Sequence, residues 1–180
     1  QVDPLLGGDA AFDALVAELK RRGMRLILDG VFNHCGRGFW AFHHLLENGA
    51  SSPYADWFIT ERWPLNPYPA KGEACGYHSW WSDPALPKFN HANPQVREHL
   101  LAVGEHWLQR GIDGWRLDVA SDLGMERQSE DFGQTLGRRD RRAHFVIEST
   151  SGCLAESYSD SASVQEFGKR AINTSTGAHA

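Results

Sequence analysis

With 180 residues, the chain is long enough for one ordinary domain with a hydrophobic core. Hydrophobic residues make up 41% and charged residues 23% of it, as in an ordinary globular protein. The formal net charge of −5 argues against nucleic acid as a partner, because such binding needs a basic surface. No stretch approaches the roughly 18 apolar residues of a membrane-spanning helix, so a membrane is not expected as a partner either.

The three cysteines, Cys35, Cys75 and Cys153, lie far apart in the sequence. They form neither a paired CxxC metal motif nor a dense disulfide framework. An odd cysteine count fits a reducing compartment, which favours a cytoplasmic location. The chain begins at Gln1 and not at Met, so the lack of a secretion signal carries no information about export.

The first predicted element is an amphipathic helix over residues 9–22. Its apolar face is predicted from residues at helical spacing, which are Phe12, Leu15, Val16 and Leu19. Asp9 is the predicted N-cap and Gly23 the predicted end of the helix. The apolar run 24–31 follows at once, which is typical of a buried parallel strand.

The rest of the chain continues this alternation. A loop-rich region with many aromatic residues is expected over 34–92, followed by a helix over 94–109. Strands are predicted at 112–119 and at 143–147. Helices alternating with short apolar strands predict an α/β fold with a parallel sheet.

Polar side chains gather where these strands end, and the candidates are Asp29, Asn33, His34, Arg116, Asp118 and Glu148. In parallel α/β barrels the active site forms at this edge. Arg116 and Asp118 share one side of their strand, and a neighbouring arginine favours an ionised, nucleophilic aspartate. Glu148 is then the candidate general acid, since retaining glycosidases use two carboxyls about 5–5.5 Å apart. The alternative for the Asp–Arg pair is a purely structural ion pair.

Five tryptophans fall in the loop-rich region, namely Trp40, Trp57, Trp63, Trp80 and Trp81. Sugar rings have apolar CH faces, which stack well on exposed aromatic rings. This placement favours carbohydrate binding, and the alternative is packing in the core.

Four segments, taken in order, resemble the α-amylase family of glycoside hydrolases. DGVFNH (29–34) is similar to the signature DxxxNH after the third barrel strand, and GWRLDVA (114–120) to GxRxDxA after the fourth. LPKFN (86–90) resembles the motif of neopullulanases, cyclomaltodextrinases and maltogenic amylases. VDPLLGG (2–8) is similar to the segment that precedes the first of these helices. The resemblance covers residues 1–122.

The resemblance assigns roles to matching positions. It implies that Asp118 is the nucleophile, that Arg116 holds and orients it, and that His34 contacts the sugar in the cleavage subsite. Asp29 would support the local hydrogen-bond network. Asn33 matches a position that helps to bind calcium in many members, so calcium is an optional ion and no cofactor is expected to be required.

Further candidates come from the same resemblance. Tyr77, Trp80 and Trp81 match loop sequence expected to line the substrate cleft. Glu148 stands 30 residues after Asp118, at a plausible separation for the acid/base, although Ile147 replaces the usual glycine before it. The family's fourth motif has no counterpart in the chain.

The implied fold is a partial (β/α)8 TIM barrel containing roughly strands 3 and 4, and strand 5 if Glu148 is the acid/base. A whole barrel needs about 250 residues. Residues 1–122 are interpreted as the central part of the catalytic barrel. Residues 123–180 are interpreted as a divergent tail, either weakly structured or frameshifted, because 149–180 contain seven serines and three threonines.

The predicted function is that of a retaining α-glucan hydrolase fragment acting on α-1,4 and also α-1,6 bonds in maltodextrin, cyclodextrin or pullulan. The expected partner is an α-glucan oligosaccharide, and the resemblance allows a homodimeric parent enzyme. One alternative is a transglycosylase or isomerase of the same family. The other is an inactive fragment or carbohydrate-binding pseudoenzyme.

Overall fold

The computed structural model describes residues 1–118 and, for its backbone, a strand at 144–147. The helices in these residues are α1 (Gly8–Arg21), α2 (Trp40–Asn48) and α3 (Pro94–Gln109). The strands are β1 (Ile27–Gly30), β2 (Gly114–Leu117) and β3 (His144–Ile147). Short 3-10 turns lie at Pro4–Leu6, Gly49–Ser51, Ala55–Trp57 and Trp80–Ser82.

The strands form one parallel sheet in the order β1-β2-β3. Ile27 lies opposite Gly114, so β1 and β2 run side by side from their first residues. Two hydrogen bonds between Leu26 and Asp113 precede this pairing. Asp113 N donates to Leu26 O over 2.7 Å, and Leu26 N donates to Asp113 Oδ2 over 2.8 Å. The predicted parallel, adjacent strands are confirmed, each somewhat shorter than its apolar run.

Helix α1 ends as predicted but begins differently. Gly23, just past the helix, has φ +69° and returns its N–H to Lys20 O over 3.0 Å. The N-cap prediction for Asp9 is wrong. The cap is Gly7, whose φ of +96° closes the preceding turn, and Asp9 already lies within the first helical turn.

Helix α1 packs against the last turns of α3 and the residues that follow. The ring edge of Phe12 meets Trp107 at 4.9 Å between centroids. Arg110 donates to Asp9 over 2.6 Å and to Asp13 over 2.9 Å, and its guanidinium lies over the Trp107 ring. Two carboxylates one helical turn apart therefore bind one cation, and hydrogen bonds from Val2 N and Arg110 lower the pKa of Asp9.

The described residues divide into two compact units. The first unit comprises residues 1–30 and 102–117 together with β3, and the second comprises 31–101 and Asp118. The buried core of the first unit includes Val16, Leu108, Ile112, Trp115 and Leu117. That of the second includes Phe32, Phe42, Leu45, Trp57, Phe58, Phe89, Val96 and Leu100.

The region 34–92 is not only loop. It contains α2, whose Ala41, Phe42 and Leu45 are buried in the second unit. This helix lacks a sequence start signal, because its N-cap is Phe39 and makes no side-chain capping bond. The many aromatic residues around α2 obscure the helical spacing of its apolar residues in the sequence.

Residues 119–143 and 148–180 lie outside the described part of the chain. The predicted boundary after residue 122, the candidate Glu148 and Cys153 all fall there. Within the described ranges, every helix is too short or too polar to span a bilayer.

The core of the second unit gives a stability prediction. Leu45 is fully buried, whereas Leu15 on α1 is 49% exposed. Because Leu45→Ala leaves a cavity, we expect a loss of about 2–5 kcal/mol in the free energy of unfolding. The matched Leu15→Ala should change it by less than about 0.5 kcal/mol. Urea unfolding followed by circular dichroism measures both, and equal losses would contradict the assigned burial.

Candidate active site

An ion pair joins β1 and β2 near their carboxyl ends. Asp29 and Arg116 lie directly opposite in the strand register, and Arg116 Nη1 donates to Asp29 Oδ1 over 2.7 Å. Both side chains are partly exposed. The structure describes a bond from Arg116 to Asp29, and the pairing of Arg116 with Asp118 stays a prediction. Cross-strand neighbours favour this partner, because their side chains leave the same face of the sheet.

The segment after β1 pairs with the LPKFN motif. Phe89 N donates to Asn33 O and Cys35 N to Pro87 O, each over 3.0 Å. Between these bonds, His34 faces Lys88 in an antiparallel bridge. Two motifs more than 50 positions apart in the sequence are therefore one structural feature, which the sequence did not reveal.

Asn33 and His34 are buried beside this pairing. Asn33 Nδ2 lies 3.2 Å from His34 Nδ1, while Asn33 Oδ1 has no hydrogen-bond partner among the described residues. An amide donor facing Nδ1 leaves that nitrogen as the acceptor and places the ring proton on Nε2. A neighbouring histidine, His91, supports the segment by donating from Nε2 to Phe32 O over 2.9 Å.

His34 and Asp118 interact within the second unit. Burial lowers the pKa of His34 below its ordinary value, and this effect outweighs the negative charge of Asp118, which raises it. The ammonium of Lys88 lowers it further. His34 is therefore a neutral imidazole at neutral pH, a hydrogen-bonding group and not a cation. Lys88 was not among the candidates predicted from the sequence, although it lies within the LPKFN motif.

Three aromatic rings form a row that starts at His34. Its imidazole stacks on Trp80 with 5.0 Å between centroids and 12° between planes. Trp80 in turn stacks with Trp81 at 4.9 Å and 18°. Trp81 is 79% exposed. We name these residues the ring row; it runs from the buried imidazole to an open indole.

The end of the ring row has an unusual backbone. Trp81 has φ +49° and Ser82 has φ +58°, both in the left-handed region that glycine prefers. Each such conformation costs on the order of 1–3 kcal/mol for a residue with a side chain. The surrounding structure must offset this cost, and strain of this kind concentrates at functional sites.

Tyr77, which was expected to line the cleft, is a buried side chain in the structure. The ring is only 3% exposed and packs edge-on against Phe42. Its hydroxyl donates to Pro84 O over 2.6 Å, and burial raises its pKa to about 12. Tyr77 supports the loop that carries Trp80 and Trp81 from beneath.

The other tryptophans of this region differ in burial: Trp57 is 7% exposed, Trp63 39% and Trp40 49%. Trp57 is buried and makes edge contacts with Trp40 and Tyr54, and its ring also meets His99. Trp40 additionally meets Tyr54 at 4.8 Å. Of the five tryptophans of this region, Trp57 alone is buried, so both packing in the core and exposed rings occur among them.

Comparison with known proteins identifies the family. The sequence model of the alpha-amylase catalytic domain matches residues 1–172. The chain is 43% identical over 123 residues to neopullulanase 2 of Thermoactinomyces vulgaris, covering 68% of this chain and 20% of that protein. It is 40% identical over 124 residues to a cyclomaltodextrinase of Geobacillus thermopakistaniensis, with the same two shares.

A solved structure agrees with these matches. The debranching enzyme of Nostoc punctiforme, crystallised and soaked with acarbose, aligns with a TM-score of 0.76 at 42% identity. The alignment covers 91% of this chain and 33% of that one. The chain spans about a fifth of the length of the curated relatives it matches. The family fold is the (β/α)8 barrel, and the parallel sheet accords with it. The chain belongs to the α-amylase family of glycoside hydrolases.

Proposed function

We propose that the chain is the part of a retaining α-glucan hydrolase that carries the nucleophile, Asp118. Its substrates would be maltodextrins, cyclodextrins or pullulan, cleaved at α-1,4 and also α-1,6 bonds. Family membership supports this proposal, as do relatives named neopullulanase and cyclomaltodextrinase. A related debranching enzyme was soaked with the sugar analogue acarbose.

The strand register is the observation that carries the proposal. In this proposal, β1, β2 and β3 would be barrel strands 3, 4 and 5. Leu117 pairs with Ile147, and these residues immediately precede Asp118 and Glu148 in the sequence. Neighbouring strands lie about 4.7–4.9 Å apart. A retaining mechanism needs two carboxyls about 5–5.5 Å apart, and Asp118 and Glu148 are the two that we propose for it.

The proposed reaction has two steps. An Asp118 carboxylate oxygen bonds to the anomeric carbon while the glycosidic C–O bond breaks, and Glu148 gives its proton to the departing oxygen. Water then attacks the anomeric carbon of the glycosyl ester and loses a proton to Glu148. This step releases the sugar and regenerates the Asp118 carboxylate.

The neighbouring residues prepare this chemistry. The bond to Asp29 restrains the guanidinium of Arg116. It therefore holds a positive charge two residues before the nucleophile in the sequence. His34 is neutral and near Asp118, and it would donate from Nε2 to a sugar hydroxyl in the cleavage subsite. Trp80 and Trp81 would contact the glucan alongside His34.

The nucleophile can be tested by Asp118→Asn in the full-length protein. An amide cannot form the glycosyl ester, so we expect kcat on maltodextrin to fall by several orders of magnitude, as for other essential nucleophiles. The matched control is Asp56→Asn, the same chemical change at an exposed side chain in the second unit. Its kcat should stay within about twofold of wild type.

Two outcomes would count against this assignment. Retention of more than about a tenth of wild-type kcat by Asp118→Asn would refute the nucleophile. A wild-type protein that binds maltodextrin without turning it over would instead support the carbohydrate-binding alternative.

The acid/base is tested by leaving-group dependence. In Glu148→Gln, turnover of natural glucans should fall by about 10²–10⁴-fold, because their leaving alkoxide needs a proton. The first step on an aryl glucoside should fall far less, since a phenolate leaves without protonation. Glu47→Gln, at an exposed position on α2, is the control. Equal losses on both substrates in Glu148→Gln would assign the acid/base to another residue.

Calcium is proposed as a structural ion that the chemistry does not require. The buried, unpartnered Oδ1 of Asn33 is an amide oxygen of the kind that calcium accepts as a ligand. The described ranges contain no group of three His, Cys, Asp or Glu side chains suited to a metal. Calcium also accepts carboxylate and carbonyl oxygens and water as ligands.

Thermal unfolding tests the calcium proposal without relying on activity. In chelator-treated protein, calcium at about a hundredfold above its Kd should stabilise the fold by about 2.7 kcal/mol and raise Tm. Asn33→Ser should lose this shift, whereas Asn48→Ser, at the exposed end of α2, should keep it. Equal Tm shifts in both variants would show that Asn33 does not bind the calcium.

A further inference from the structure

A buried histidine that the proposed mechanism does not use joins the two segments of the candidate site. His91 follows the LPKFN motif and is only 8% exposed. Its Nε2 donates to the backbone carbonyl of Phe32 over 2.9 Å, since a carbonyl oxygen can only accept. The bond joins residues 59 positions apart, and it reaches the backbone two residues before His34.

The carbonyls of two successive residues, Phe32 and Asn33, are held from the same partner segment. Phe89 N donates to Asn33 O over 3.0 Å, and the ring of His91 donates to Phe32 O. Two consecutive peptide groups are therefore restrained, one by a backbone amide and one by a side chain. The second of these peptide groups ends at the nitrogen of His34, so the backbone that enters His34 is fixed on its way in.

His91 is itself held in place by helix α3. Arg97, near the start of that helix, donates from Nη1 to the carbonyl of His91 over 2.9 Å. The imidazole also meets the ring of Phe89 edge-on, with 6.4 Å between centroids and 84° between planes. Burial lowers the pKa of His91 and outweighs the bond to Phe32, which raises it. The imidazole is therefore neutral at neutral pH, and its one N–H goes to the Phe32 carbonyl.

The place of the His34 ring depends on the backbone from which it projects. Its Nδ1 lies 3.2 Å from Asn33 Nδ2, and the ring stacks on Trp80 with 5.0 Å between centroids. A shift of about 1 Å in a group that contacts the substrate can lower a rate by about a hundredfold. Restraint of the backbone that enters His34 therefore bears directly on a reaction at Asp118, whose charge acts on His34.

We propose that His91 is a positioning residue, which acts through the Phe32 carbonyl to hold the His34 imidazole in its place beside Asp118. This rests on the proposed function, in which His34 contacts the sugar in the cleavage subsite. His91 acts only through His34 and does not touch the substrate. Loss of its hydrogen bond should therefore slow the reaction only while His34 is present.

Two amide variants of the full-length protein test the hydrogen bond. The amide nitrogen of glutamine reaches about as far as the imidazole Nε2, whereas that of asparagine stops near the place of Nδ1. For His91→Asn we expect kcat/KM on maltodextrin, measured well below Tm, to fall roughly ten- to hundredfold. His91→Gln restores the donor and should recover most of the rate. The control is His43→Asn, the same change at an exposed position of α2, which should keep kcat/KM within about twofold of wild type.

The same variants in a His34→Ala background separate positioning from a general structural loss. If His91 acts through His34, His91→Asn should change kcat/KM by less than about twofold once the His34 ring is absent. Losses of equal size in both backgrounds would overturn the positioning role. So would a wild-type rate in His91→Asn, and in either case the proposed function stands.

Magnetic resonance of the His34 ring nitrogens tests the placement without turnover. The ring signals should move in His91→Asn and keep their wild-type positions in His91→Gln and His43→Asn. Signals that stay in place in His91→Asn would overturn the proposal. If the wild type does not turn over maltodextrin, the proposed function fails, and these spectra alone decide whether His91 holds His34. They also decide if His34→Ala is too slow to measure.

Discussion

Two backbone hydrogen bonds hold the candidate site together, from Phe89 N to Asn33 O and from Cys35 N to Pro87 O. They bring the segment after β1 against a loop that lies more than 50 residues later in the chain. Closing so long a loop has an entropic cost, which the buried aromatic residues around α2 offset. Beside this pairing, His34 is buried and stacks on Trp80.

Charge is arranged differently in the two units. In the first, Asp29 and Arg116 form a partly exposed pair whose direct contribution to stability is small and whose main effect is to fix a guanidinium. In the second, burial keeps His34 neutral although Asp118 opposes this. A neutral donor suits recognition of uncharged sugar hydroxyls. A charged imidazole would pair with the very carboxylate that the proposed chemistry needs free.

The ring row shows how the loop before LPKFN is built. Tyr77 anchors it from below through Phe42 and the Pro84 carbonyl, and the left-handed turn at Trp81 and Ser82 then directs an indole outward. The strained tip of the loop depends on its buried anchor, because backbone strain persists only where the surrounding structure holds it in place.

The sequence by itself determined the parallel strands, helices α1 and α3, and the family, since periodicity and four ordered motifs are local signals. It did not determine α2, the Gly7 cap or the burial of Tyr77, because aromatic clustering hides helical spacing and burial depends on distant neighbours. Only the tertiary structure decided that Arg116 binds Asp29, through strand register, and that one tryptophan of the loop is open while another is core. Register and stacking join residues far apart in the chain, and no local pattern encodes which of them will meet.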